Sequence, residues 1–145
     1  MDKSERFQLV APCGLDCGNC EVYLSRDNPE LKAFLINAGI PGDKLPCDGC
    51  RPMNGDCAVL PEECATYTCA EGREVKYCSD CGDFPCNHLA PASDQADKLP
   101  HNTKVFNLCV IKRDGVEAFI GQSGRIKDAY YKGKMVVGSG PKLEE

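Results

Sequence analysis

Tryptophan is absent from this chain, and histidine occurs twice, as His88 and His101. Chemistry built on paired histidines therefore has little to draw on. No apolar stretch approaches the roughly 20 residues of a membrane span, so no membrane partner is expected. The first ten residues, Met-Asp-Lys-Ser-Glu-Arg-Phe-Gln-Leu-Val, carry no apolar signal region, and a cytoplasmic location is expected. No Gly-rich phosphate loop precedes a helix, no low-complexity tract occurs, and nothing repeats apart from the cysteine pairs. A basic footprint is also missing where it would matter. Residues 1–100 carry 9 Lys/Arg against 17 Asp/Glu, and only residues 101–145, with 8 against 5, lean basic. Nucleic-acid binders show a basic stripe or patch, so nucleic acid is a disfavoured partner.

Cysteine is what the chain has in excess. Twelve of 145 residues are Cys, near the level that marks a cysteine scaffold. In a reducing compartment such density points to metal rather than disulfides. Cys13, Cys17 and Cys20 stand as C-x3-C-x2-C. Cys47 and Cys50 form C-x2-C around Asp48-Gly49. Cys57, Cys64 and Cys69 follow at wider spacing. Cys78 and Cys81 form another C-x2-C, with Cys86 close behind. A tight turn between two cysteines aims both sulfurs at one point, and Gly in the turn lets backbone N–H groups approach them. These eleven residues are the candidate metal ligands.

Zinc is the first expectation. A structural zinc takes four Cys or His ligands, so the eleven cysteines suffice for two sites, and for three if His88 joins them. His88 is read as an ordinary surface histidine. The alternative is a [4Fe-4S] cluster, for which a three-cysteine run and a remote fourth are common; that would make the chain an electron-transfer protein or a small subunit of a redox enzyme. The radical-SAM reading of C-x3-C-x2-C is weakened by Asn19, where an aromatic is usual, and by the short chain. Thiol redox catalysis lacks the βαβ context such a pair needs. An open catalytic metal site has the least support, and no catalytic residue is singled out. Asp16, Asp48, Asp80 and Asp83 beside the cysteines read as turn formers or solvated acids. Cys109, inside an apolar segment, reads as a buried free thiol acting as a small hydrophobe.

The fold expected is a small α+β, cysteine-rich, metal-stabilised domain with short helices, few short strands and many loops. Residues 1–90 form the metal-binding region, and 91–145 a helical region packing on it within one compact domain. Residues 1–10 read as a polar lead-in. Asn28, Pro29 and Gly39 bound a helix whose apolar face is Leu31, Phe34, Leu35 and Ala38. Residues 43–90 show little periodicity and are expected to need metal for order. A polar connector follows at 91–103. Asn102 is expected to cap a buried helix through Val105, Phe106, Leu108, Val110 and Ile111, and Asp114-Gly115 to turn the chain. A further helical pattern through Val116, Phe119 and Ile120 is expected to break at Gly121 and Gly124, restart at Ser123 and end near Tyr131. A short strand is placed at 134–137.

The run Cys13-Gly14-Leu15-Asp16-Cys17-Gly18-Asn19-Cys20 with Tyr23 resembles the opening of a bacterial and archaeal family, domain of unknown function 3795. The resemblance continues through Cys47-Asp48-Gly49-Cys50, Cys69-Ala70, Cys78-x2-Cys81, Phe84-Pro85-Cys86 and Leu89. It spans roughly residues 11–90. It implies metal binding through the cysteines and no established activity. Thr66-Tyr67-Thr68 departs from the family's pattern before Cys69, and His88 lies outside it. The function expected is a zinc-bearing module with a binding or accessory role toward a protein partner.

Overall fold

A computed structural model describes residues 1–91 and 100–143. The described chain is mostly helical, with one small antiparallel ribbon, so the strand component of the expected class is slight. Its helices are α1 (Lys3–Gln8), α2 (Glu21–Leu24), α3 (Pro29–Asn37), α4 (Ala65–Gly72), α5 (Lys104–Asp114) and α6 (Val116–Lys132). Its strands are β1 (Met135–Val136) and β2 (Gly140–Pro141). Short 3-10 turns fill many of the joins, among them Cys17–Asn19 and Cys78–Asp80.

The first ten residues are not a plain lead-in. Asp2 accepts the Glu5 N–H at 2.8 Å, and the Glu5 carboxylate accepts the Asp2 N–H at 2.9 Å. This reciprocal capping box satisfies two otherwise unpaired donors and starts α1. The chain then dives inward: Leu9, Val10 and Ala11 are buried.

Helix α3 starts as expected, with the Asn28 side chain accepting the Leu31 N–H at 3.0 Å and Pro29 in the first turn. Gly39 follows the helix at φ +107°. Its apolar face is narrower than its sequence suggests. Leu35 is buried and Leu31 half-buried, but Phe34 and Ala38 are exposed. A nine-residue helix lying on a small core has only one stripe to bury. That core holds Val22, Leu35, Leu45, Cys47 and Ala58.

Helix α4 lies inside the segment without visible periodicity. Its buried residues are Thr66, Tyr67 and Ala70, none of them a strong apolar marker. Gly55, at φ +84°, supports it by closeness: a Cβ there would stand 2.7 Å from Tyr67 Cδ1.

Helix α5 buries Asn107, Leu108, Val110 and Ile111 but exposes Cys109. The expectation of a helix buried all round, and of Cys109 as a core thiol, is therefore corrected. Cys109 falls on the outward side of a helix that packs along one flank. Asn102 does not cap this helix; its side-chain amide donates to the Tyr130 hydroxyl at 2.9 Å. Gly115 at φ +93° makes the expected turn.

Helix α6 runs unbroken through Gly121 and Gly124. Each glycine costs a helix interior about 1 kcal/mol. Burial of Phe119, Ser123, Ile126 and Ala129 along one face outweighs this, since a single buried large apolar side chain contributes about 1.5–3 kcal/mol. The 91–103 connector lies mostly outside the described residues.

The main core draws on both ends of the chain. Leu9, Val10, Ala11, Cys13 and Cys17 pack with Tyr77 and Leu89 and with Leu108, Phe119 and Ile126. Gly14, at φ +89°, is where the first cysteine loop meets α5. A Cβ there would stand 2.8 Å from Leu108 Cγ and 3.0 Å from the Lys104 carbonyl. No described helix is long and apolar enough to cross a membrane.

Candidate metal centre

The loop carrying Cys13, Cys17 and Cys20 is held by its own backbone. Ala11 N–H donates to Leu15 O at 2.9 Å, and Cys17 N–H to Leu9 O at 2.7 Å. Asp16 organises the far side. Its carboxylate accepts two bonds from the Arg6 guanidinium, at 2.8 and 2.5 Å, and one from Gly18 N–H at 3.0 Å. It also accepts the Ser123 hydroxyl at 2.6 Å. The carboxylate is almost wholly buried, with 5% exposure. Charge-assisted, bidentate bonds of this kind are the strong ones. Asp16 is thus the joint between the cysteine loop, α1 and α6, more than a turn former. Lys127 adds a second tie, donating to the Asn19 carbonyl and pairing with Glu21 at 2.8 Å.

The C-x2-C segments adopt the turns their spacing suggests. Cys20 N–H closes onto Cys17 O, and Cys81 N–H onto Cys78 O, each at 3.1 Å. Gly49, at φ +103°, turns the chain between Cys47 and Cys50. Backbone amides aim at sulfur two residues back: Gly49 N–H at Cys47 Sγ, 3.4 Å, and Asp83 N–H at Cys81 Sγ, 3.5 Å. The amides of Leu15, Val22 and Val59 likewise favour the charged forms of Cys13, Cys20 and Cys57. Hydrogen bonding to the charged form stabilises a thiolate, which is the form that binds metal.

Cys17 and Cys50, 33 residues apart, bring their sulfurs to 3.8 Å. Two thiolates on one tetrahedral zinc, each about 2.3 Å from the ion, stand about 3.8 Å apart. This hydrogen bond holds Cys17 below the usual thiol range against the opposing effect of burial. The same contact, joined by burial, pushes Cys50 far above it. Cys57 senses Cys47, Cys17 and Cys64, and Cys64 also acts on Cys13. Burial pushes Cys20 up to about 12 and is the main cause raising Cys13 and Cys57. Without a cation Cys13, Cys20, Cys50 and Cys57 hold their protons more firmly than an ordinary thiol; a bound divalent ion favours the thiolate.

Four further cysteines group around Cys78, which adjoins the first loop through its N–H bond to Pro12 O at 2.8 Å. Cys69 from α4, Cys78, Cys81 and Cys86 line a pocket of about 110 Å³ together with Arg73 and His88. Burial, then the charges of Cys13, Cys86, Cys69 and Cys81, push Cys78 up to about 12. Arg73 donates to Cys81 Sγ at 3.1 Å and pairs with Asp83 at 2.7 Å.

Among the described residues, no three Cys, His, Asp or Glu side chains already stand in the mutual spacing of a formed metal site. The fit to metal is in donor type, in the turns and in one sulfur–sulfur edge. His88 lines the second pocket, where its carbonyl accepts from Thr66. The side chain of His101 lies outside the described residues. Cys109 joins neither group. The residues that sequence reasoning missed are Arg6, Arg73, Ser123 and Lys127, whose partners lie elsewhere along the chain. No short spacing announces them.

A family model described as protein of unknown function (DUF3795) matches residues 9–91. The chain belongs to the DUF3795 family. The matched span holds all eleven clustered cysteines and ends before α5 and α6. In this member of the DUF3795 family those two helices therefore cover the first cysteine loop from outside the matched span. No curated protein and no solved structure matches the chain.

Proposed function

We propose that this DUF3795 protein is a metal-binding module of the cytoplasm, a metal-stabilised α+β domain whose cysteine thiolates hold structural zinc. Its role is to bind or assist a protein partner. The observation that carries the reading is the Cys17–Cys50 edge of 3.8 Å, joined by backbone amides directed at sulfur. Cys13, Cys20, Cys47 and Cys57 are the candidates to complete that site. Two or three zinc ions per chain are expected at four ligands each. When bound, zinc would offset half the charge of four thiolates and tie residues 13–64 into one unit.

The second reading is a [4Fe-4S] electron-transfer protein, favoured by the C-x3-C-x2-C run of Cys13, Cys17 and Cys20. The sulfur edge weighs against it. In such a cluster each thiolate takes its own iron, so ligand sulfurs stand farther apart than two thiolates sharing one ion.

Metal analysis of the full chain, purified without oxygen, separates the readings. A colourless protein carrying two or three zinc per chain supports the first. A brown protein containing iron and acid-labile sulfide refutes it in favour of the second. A protein that neither carries nor takes up metal refutes both.

A further inference from the structure

The two groups of cysteines differ in access and in counter-charge. In the first, Cys13, Cys17 and Cys47 are buried and Cys20, Cys50, Cys57 and Cys64 half-buried. In the second, Cys69, Cys78 and Cys81 are half-buried and Cys86 is exposed. Their pocket opens beside Arg73, whose side chain is half exposed. A tetrathiolate zinc site carries two net negative charges. The second group offsets part of that charge with the guanidinium bond to Cys81, and Asp83 holds the guanidinium in place. Ligand exchange at zinc needs an incoming group to reach the ion as a thiolate leaves. The exposed Cys86 edge permits this approach, whereas Cys13 and Cys17 of the first group lie buried beside the Asp16 network.

We infer that Cys69, Cys78, Cys81 and Cys86 form a second, solvent-open thiolate centre that exchanges its zinc readily, while the centre built on Cys17 and Cys50 retains its own, with Arg73 as the positioning and charge-balancing residue of the open centre. This rests on the zinc reading above. The exchange is a substitution: Zn²⁺ passes to the incoming chelator, and the freed thiolates take protons from solvent. The oxidation state of sulfur does not change. The ligand is a borderline-soft divalent ion, and the occupant of the exchange is any small thiol or chelating group able to enter the pocket.

The test uses the zinc-loaded full chain and a chromophoric chelator. Zinc should leave in two phases, one ion fast and the remainder at least tenfold more slowly. Cys86→Ala, a change at an exposed position, should remove the fast phase and lower the zinc content by one ion, with the slow phase unchanged. Arg73→Met should speed the fast phase severalfold, Arg73→Lys should recover part of the effect, and neither should move the slow phase. Alkylation of the loaded protein followed by peptide mapping should mark Cys81 and Cys86 before Cys17 and Cys50. One common release rate, loss of the slow phase in Cys86→Ala, or indifference of the fast phase to Arg73→Met overturns the two-centre inference and leaves zinc binding standing. Absence of zinc uptake overturns the zinc reading itself, and this inference with it.

Discussion

Replacing Asp16 by Asn tests whether the cysteine loop is held to the rest of the molecule by a charge. The substitution keeps the shape of the side chain. The remaining carbonyl oxygen can still accept from Gly18 or Ser123. It removes the negative charge facing Arg6 and points an amide donor at a guanidinium that can only donate. Removing one partner of a buried ion pair costs about 3–5 kcal/mol. Arg6 is 27% exposed in the pair, so water can reach the orphaned guanidinium, and the expected loss falls to about 2–3 kcal/mol. That is a large part of the 5–15 kcal/mol typical of a domain. Urea unfolding of the metal-loaded and the chelated protein, followed by circular dichroism, measures it. The loss should appear in both states, because the pair acts on the backbone of residues 14–19 and not on the ion. Arg6→Met combined with Asp16→Asn should cost less than the sum of the single changes. A loss below about 1 kcal/mol in both states, or strict additivity, would refute the assignment of Asp16 as the joint.

Other expectations follow from the same structure. In the reduced, chelated protein Cys20 and Cys78 are pushed up to about 12 from 9.0; the unfolded chain then releases protons first, so stability should hold below pH 9 and fall as pH rises toward 12. Denaturation midpoints across that range check the sign, and a rise in stability would contradict it. The loaded protein should instead lose zinc on acidification, because protons compete for thiolate. Chelation should disorder residues 43–90 while leaving the helix near 105–111 partly formed, read by limited proteolysis and far-UV circular dichroism; unchanged patterns would show that metal does not hold the fold. Gly121→Ala should stabilise by about 0.5–1 kcal/mol, since a Cβ there meets nothing within 4 Å. Gly14→Ala should destabilise by about 1–3 kcal/mol through its positive φ and its contact with Leu108. Paired thermal melts of the two variants would expose a failure of either.

Local signals were readable where the chemistry is local. Asn28 and Pro29 start α3 because a side-chain acceptor and a residue without an amide both suit a helix's first turn. Asp114-Gly115 turns the chain because Gly accepts φ +93°. The box of Asp2 and Glu5 was equally local, and its spacing was present in a segment that otherwise looked polar and plain. Periodicity served less well. Helix α4 buries Thr, Tyr and Ala, which carry little apolar contrast, and α6 passes through two glycines because its buried face outweighs their helix cost.

By itself the sequence determined the donor set: many cysteines in tight pairs, few histidines, and turns that aim sulfur and backbone amides together. It also determined which segments turn sharply, since glycine and proline act on their own dihedrals. Only the tertiary structure decided the company those sulfurs keep. Cys17 meets Cys50 across 33 residues, Asp16 meets Ser123 across 107, and Cys109 faces outward because of the angle at which α5 lies on the core. Such pairings depend on how whole elements pack, and no spacing along the chain encodes that angle.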